Sequence, residues 1–171
     1  MPPPNAGIQR QDVLKILGVH VDKKLNFDFH VNETLKACNQ TLFALRTMKN
    51  SDLPADILTN IFKSLILSKL LYASPSWWGF LTIHNKQRFE SFIKKAIKYG
   101  YYSDSDLNVF DWQERIESNL FKSISNTHHA LHDLLPPKKP QKYNLCPREH
   151  NFILPPKDDR NFISRCLYKF Q

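Results

Sequence analysis

The chain has 171 residues and a mass of 20.1 kDa, the size of one ordinary domain or of one domain with a tail. Apolar residues make up 42% and aromatics 12%, enough for a packed core, which excludes wholesale disorder. Twenty-four Lys and Arg against 16 Asp and Glu leave +8, a balance that points to a polyanionic partner such as nucleic acid.

The first predicted element is strand. Val13, Leu14, Ile16, Leu17, Val19 and Val21 form a nearly continuous apolar run around Gly18, the pattern of a strand covered on both faces. Asn5-Ala6-Gly7 and Asp22-Lys23-Lys24 read as turns, with room for a short edge strand near Ile8–Arg10. The period then changes. Val31, Leu35, Cys38, Leu42, Leu45 and Met48 fall on one helical stripe, with Asn26 or Asp28 available as a cap. Asn50-Ser51-Asp52 ends it. Pro54 suits the first turn of a second helix carrying Ile57, Leu58, Ile61, Phe62, Leu65, Ile66, Leu70 and Leu71. That helix is apolar over more than half its circumference, so a buried place is expected, with Pro75 ending or kinking it. Trp77 is expected in the core, and Trp78, on a different face, at the surface. A third helix fits Asn85–Tyr99, with Phe89, Phe92, Ile93, Ala96 and Ile97 inward and Gly100 closing it. A fourth fits Asp111–Asn126, with Trp112, Ile116, Leu120 and Ile124 at steps of four. Six of the 11 prolines follow Leu135, so the last stretch reads as an extended arm.

The charge is concentrated. Residues 86–98 hold Lys86, Arg88, Lys94, Lys95 and Lys98 against Glu90 alone. Residues 138–171 hold eight cations, Lys138, Lys139, Lys142 and Arg148 among them, against Glu149, Asp158 and Asp159. In the third helix the cations form two ridges, Lys86 with Lys94 and Lys98, and Arg88 with Lys95, both away from Phe89, Phe92 and Ile93. Cations on one helical face neutralise phosphates and release counterions, which gives affinity without sequence readout. The bland alternative is an ordinary solvated face. In the tail, Tyr143 stands among the cations as in single-strand binders, and a solubilising linker would look the same.

The segments occur in a familiar order. Leu17-Gly18-Val19, then Lys24-Leu25-Asn26-Phe27 and His30-Val31, resemble a junction of non-LTR (LINE-type, jockey-like) retrotransposon reverse transcriptases. Tyr72-Ala73-Ser74-Pro75-Ser76-Trp77, Arg88-Phe89-Glu90 with Lys94-Lys95-Ala96-Ile97, and Leu131-His132-Asp133-Leu134-Leu135-Pro136 are similar to later segments of that family. Tyr143-Asn144-Leu145-Cys146-Pro147-Arg148, His150-Asn151-Phe152, Leu154-Pro155-Pro156-Lys157 and Arg160-Asn161-Phe162-Ile163 resemble its ending. Together they cover roughly residues 8–169. The resemblance implies the end of the palm, the thumb and the C-terminal tail. It places the Leu17–Val19 segment at the primer grip, where Gly18 would let backbone approach a sugar-phosphate and Lys15 stands nearby. It also implies that the catalytic Tyr-x-Asp-Asp turn lies upstream of such a segment.

The expected fold is therefore mainly α: an N-terminal β-hairpin over residues 1–25, a three- to four-helix thumb-like bundle over 26–135, and an irregular Pro-rich arm over 136–171. The expected function is non-catalytic binding of template–primer RNA or DNA backbone, without cofactor or metal. The alternative is a co-opted helical module that binds protein through the apolar strand and Trp78. Self-association through Val13–Val21 is also expected, because the strand has few neighbours to cover it. Nucleotidyl transfer needs carboxylates that hold two metal ions. The one adjacent pair, Asp158-Asp159, reads instead as a solvated charge run. His128, His129 and His132, or Cys146 with His150, lack the further ligands a zinc site needs. Three widely spaced cysteines make no disulfide framework. Met1-Pro2-Pro3-Pro4 has no signal-peptide core, and Ile57–Leu71 is too short and too charged to span a bilayer. An intracellular setting, nuclear or cytoplasmic, is expected.

Overall fold

The computed structural model describes residues 11–103, 105–139 and 150–170. It is mainly helical, with one small antiparallel hairpin near the N-terminus. The fold divides into two compact units, Met1–Leu70 with Phe80–Tyr101, and Leu71–Gly79 with Tyr102–Gln171.

In the first unit, the run Val13–Val21 is not one central strand. It folds into β1 (Val13–Ile16) and β2 (Val19–Asp22), with Ile16 opposite Val19. The turn residues Leu17 and Gly18 both have positive φ, 46° and 88°. A two-residue hairpin turn of type I′ needs that at both central positions, and its twist matches the strands. Apolar residues on both sides of a glycine thus belong to two strands, and Leu14 and Ile16 remain exposed. The predicted edge strand at Ile8–Arg10 lies outside the described residues.

Helix α1 (Asp28–Lys49) buries Val31, Leu35, Cys38, Leu42 and Leu45 as its spacing predicts, while Met48 is exposed. Its cap position is Phe27, which makes no side-chain cap bond, so neither Asn26 nor Asp28 caps the helix. The Asn26 side chain instead accepts from the Asp28 amide at 2.9 Å in the turn that leads into it. Helix α2 (Ala55–Ile61) continues into a π-helical segment, Phe62–Leu67, and ends in α3 (Ser68–Leu70). The wider π turn rotates the apolar face. Leu67 takes a buried place and Leu65 turns outward, and Ile57 is exposed as well, so two residues of the expected apolar set lie outside the core. These segments pack on α1, where the Cys38 thiol approaches the Ile66 carbonyl at 4.0 Å.

Helix α5 (Ile83–Lys98) starts at Thr82, whose hydroxyl accepts from the Asn85 amide, and buries Phe89, Phe92, Ile93 and Ala96. Gly100, at φ 77°, closes it. The Gly100 amide bonds Ile97 and the Tyr101 amide bonds Ala96, the paired reversal by which helices commonly end. Contacts along α1 and α5 run in the same order. Asp28 meets Asn85, Asn39 meets Lys95, and Lys49 meets Tyr99, so the two helices lie parallel.

In the second unit, Ala73 at φ 51° marks a reversal, and α4 (Ser74–Trp77) carries Pro75 in its first turn. The preceding helix has therefore already stopped at Leu70, before the proline. Trp77 is fully buried, as expected. Trp78 is only 6% exposed and meets the Phe110 ring edge-on at 5.8 Å, so it is core rather than surface.

Helix α6 (Val109–Ile124) has a reciprocal cap: Asn108 accepts from the Asp111 amide and Asp111 from the Asn108 amide. Its buried face is Val109, Gln113, Glu117, Phe121 and Ile124. The predicted stripe through Trp112, Ile116 and Leu120 flanks that face and is half-buried. The center shifted because two polar residues, Gln113 and Glu117, are paired inside.

The tail also departs from expectation. Residues 150–170 are not a detached arm. Asn161 caps α7 (Phe162–Lys169), which lies against α6. Phe152, Cys166 and Leu167 join Phe121 and Ile124 in one apolar cluster. Pro155 and Pro156 shape the approach to the helix, with the Tyr168 hydroxyl donating to the Pro155 carbonyl at 2.8 Å.

Candidate nucleic-acid interface

The basic face of α5 is set by a polar anchor at its start. Asn85 is buried. Its amide nitrogen donates to the Asp28 carboxylate at the head of α1, and its oxygen accepts from Arg88 at 3.1 Å. Hydrogen bonds from Asn26 and then Asn85 hold the Asp28 carboxyl below its usual pKa, with a smaller contribution from the Arg88 charge. Arg88 is thereby drawn to the α1 side.

The five predicted cations of α5 lie off its buried face and are engaged differently. Lys94 pairs with Glu90 at 3.1 Å, one turn earlier, and both are solvated. Lys95 reaches Asn39 of α1 at 3.5 Å. Lys98 is exposed in the last turn, and Lys86 and Arg88 are half-buried.

Two further cations join them that sequence reasoning missed. Arg46 and Lys49 stand in the last turn of α1. Lys49 donates to the Tyr99 carbonyl at 2.8 Å and lies 5.5 Å over the Tyr101 ring. From Asn39 onward in α1 and from Ser91 onward in α5 the helices carry Arg46, Lys49, Lys94, Lys95 and Lys98 and no acid. The parallel pairing sets these halves side by side. In the sequence, Arg46 and Lys49 look like the ordinary basic complement of a helix end. Only the long-range contact from Lys49 to Tyr99 links them to α5.

On the hairpin, Lys15 and Gly18 are exposed. The positive φ of Gly18 accounts for the glycine through the turn itself, without a ligand approaching its backbone. Lys138 and Lys139 belong to the second unit. Lys138 forms an isolated bridge with Phe152 and its ammonium lies 5.8 Å over that ring, while the Lys139 amide donates to Asn151. Tyr143, Cys146, Lys142 and Arg148 lie outside the described residues.

The acidic pair and two of the histidines singled out in the sequence have local partners. The Asp158 carboxylate accepts from the Arg160 amide, and Asp159 pairs with Lys157 at 3.7 Å. His132 bonds the Ile124 carbonyl, and His129 accepts from the Leu131 amide. Among the described residues no three His, Cys, Asp or Glu side chains converge on a metal position, and no helix is long and apolar enough to cross a membrane. Burial pushes the Cys38 thiol up to about 11 and the Cys166 thiol up to about 12, so neither is a ready nucleophile.

No protein-family model matches the chain, and neither a curated protein nor a solved structure matches it.

Proposed function

We propose that the first unit is a non-catalytic nucleic-acid-binding element that grips the phosphate backbone of RNA or DNA through the paired C-terminal halves of α1 and α5. The observation that carries this reading is the cluster of Arg46, Lys49, Lys94, Lys95 and Lys98 on adjacent helices without an intervening acid. The resemblance of the sequence to the palm-end, thumb and tail region of non-LTR reverse transcriptases supports the same role, with template–primer as the ligand. The 171 residues contain no Tyr-x-Asp-Asp, so the chain itself is read as binding rather than polymerising. Lys86, Arg88 and Lys15 are placed as secondary contacts, in a nuclear or cytoplasmic setting. The alternative of a protein-interaction module loses half its surface, because Trp78 is buried.

The test is a salt titration of binding to labelled duplex and single strand. Changing Lys94, Lys95 and Lys98 together to Gln lowers the slope of log K against log salt by roughly two to three units, at about 0.7–0.9 per phosphate contact. Changing Arg46 and Lys49 to Gln lowers it further. Both variants keep the circular dichroism of the parent. Binding that survives the triple change with an unaltered slope refutes the proposal.

A further inference from the structure

The hairpin turn decides which backbone groups of β1 are already used. Ile16 and Val19 flank a two-residue turn as a bonded pair, and bonded pairs alternate along an antiparallel ladder. Asp12, Leu14 and Ile16 therefore turn their amides and carbonyls toward β2, in line with the Lys23 amide bonding the Asp12 carbonyl at 3.1 Å. Val13 and Lys15 turn theirs to the outer edge, where no strand lies among the described residues. Beside that edge Leu14 is 53% exposed and Ile16 51%. Such an edge is a template for another strand.

We propose that β1 pairs with β1 of a second copy of this chain, antiparallel, about a two-fold axis at Leu14. Three two-fold registers use the outward groups. Centring on Lys15 sets ammonium against ammonium and draws on Leu17, which the turn holds at φ 46°. Centring on Val13 sets Asp12 against Leu14 and Lys15 against Gln11, so the apolar row is broken at its middle and Lys15 has no acid ahead of it. Centring on Leu14 instead moves Asp12 out to Ile16 at the end of the ladder. Centring on Leu14 makes Val13 and Lys15 bonded partners in both directions. It runs one apolar row Val21–Leu14–Leu14–Val21 across the four strands, since Leu14 already faces Val21. It also lays the Lys15 stem over Val13 of the other copy, toward the Asp22 that Val13 faces, two strands or about 10 Å away. Apolar and charged rows are thus both self-complementary, as an isologous contact requires. The occupant is a second copy because the edge is complementary to its own reverse: Leu14 meets Leu14, and the Lys15 ammonium is directed toward the Asp22 carboxylate in both directions. The inference does not rest on the nucleic-acid reading: it uses the backbone edge of β1 and Leu14, and although Lys15 is a secondary contact in that reading, the dimer is measured with nucleic acid removed.

The test uses the full chain, nuclease-treated, in analytical ultracentrifugation over a wide concentration range. The parent shows a reversible monomer–dimer equilibrium. Val13→Pro removes an outward amide while leaving the β1–β2 bonds intact, and abolishes the dimer. Lys15→Glu, which faces Asp22 with a like charge, weakens it. Leu14→Cys places two thiols in a non-bonded pair with Cα atoms about 4.5 Å apart. On mild oxidation it cross-links to itself, and Ile16→Cys, which meets Asp12, does not, each read against the parent. If Val13→Pro lowers the helical content, the lysine and cysteine variants carry the test. A parent that stays monomeric throughout, a dimer unaffected by Lys15→Glu, or equal cross-linking at positions 14 and 16 overturns the proposal.

Discussion

Replacing Glu117 by Ala should be among the most damaging single changes in the second unit. The Glu117 side chain is 5% exposed and that of its partner Arg165 17%. One carboxylate oxygen accepts from Arg165 Nη2 and from Gln113 Nε2 at 2.9 Å, and the other from Arg165 Nε at 3.4 Å. Removing the acid leaves a cation in a largely dry site, and breaking a buried pair from one side costs about 3–5 kcal/mol. The Gln113 amide loses its acceptor too, worth about 1–3 kcal/mol. Against this, Arg165 keeps its bonds to the Asp159 and Arg160 carbonyls, at 2.9 and 3.1 Å. The expectation is therefore about 3–5 kcal/mol overall, a large part of the roughly 5–15 kcal/mol that stabilizes a typical domain. Hydrogen exchange resolved along the chain is the assay, because it separates α6 and α7 from α1 and α5. Protection should fall in α6 and α7 and hold in α1 and α5. The pair Glu117→Leu with Arg165→Met should lose far less than Glu117→Ala alone, since apolar replacement of both partners is often near neutral. A loss below about 1 kcal/mol for Glu117→Ala would refute the claim that this pair is desolvated and mutually dependent.

Gly79→Ala should destabilize the same region by about 1–3 kcal/mol, because a Cβ there meets the Arg165 guanidinium and the Arg160 and Asp159 carbonyls; a melt unchanged by the substitution contradicts the packing. Cys38 and Cys166, with thiols raised to about 11 and about 12, should resist iodoacetamide at pH 8 in the folded chain and react in urea, as site-resolved mass spectrometry would show. Burial, aided by the nearby His20, depresses the His30 pKa below 6.5, so the unfolded chain binds the proton more tightly. The stability this contributes is complete above about pH 6.5 and declines as pH falls below it toward the depressed folded value. Denaturation midpoints should drop over that range in the parent and drop less in His30→Phe.

The first unit was the more legible in the sequence because its signals are local. The α1 stripe, Pro54 before a helix and Gly100 after one each depend on a few neighbouring residues. Leu17-Gly18 was ambiguous for a physical reason: apolar residues on both sides fit either one covered strand or two strands around a primed turn, and only the left-handed backbone of both residues decides. The π segment was illegible, since nothing local signals the extra residue that turns Leu65 outward. The second unit failed where polar residues are core. Gln113 and Glu117 read as a wet face of α6 until Arg165, 48 residues beyond Glu117, supplies the charge that lets them be buried. The same pair hid α7, because an arginine in a proline-rich tail looks solvated.

The charge cluster was half legible for a related reason: a segment's net charge is a sum, whereas its placement depends on packing. Several α5 cations already have partners, Lys94 with Glu90, Arg88 with Asn85 and Lys95 with Asn39. These contacts do not disqualify them. An exposed pair such as Lys94 with Glu90 contributes about 0–1 kcal/mol, so a phosphate that releases counterions can displace it. The parallel pairing of α1 and α5 sets a stricter condition. It brings two helix C-termini together, and each carries about half a negative charge that repels a phosphate. One lysine there would do no more than offset those dipoles, and a second no more than offset Glu90. Arg46, Lys49, Lys94, Lys95 and Lys98 supply five positive charges against about two negative, the two helix ends together and Glu90 beside Lys94, which leaves a net attractive surface. The excess over what the helix ends require, rather than the presence of lysine, distinguishes this face from an ordinary capped helix pair.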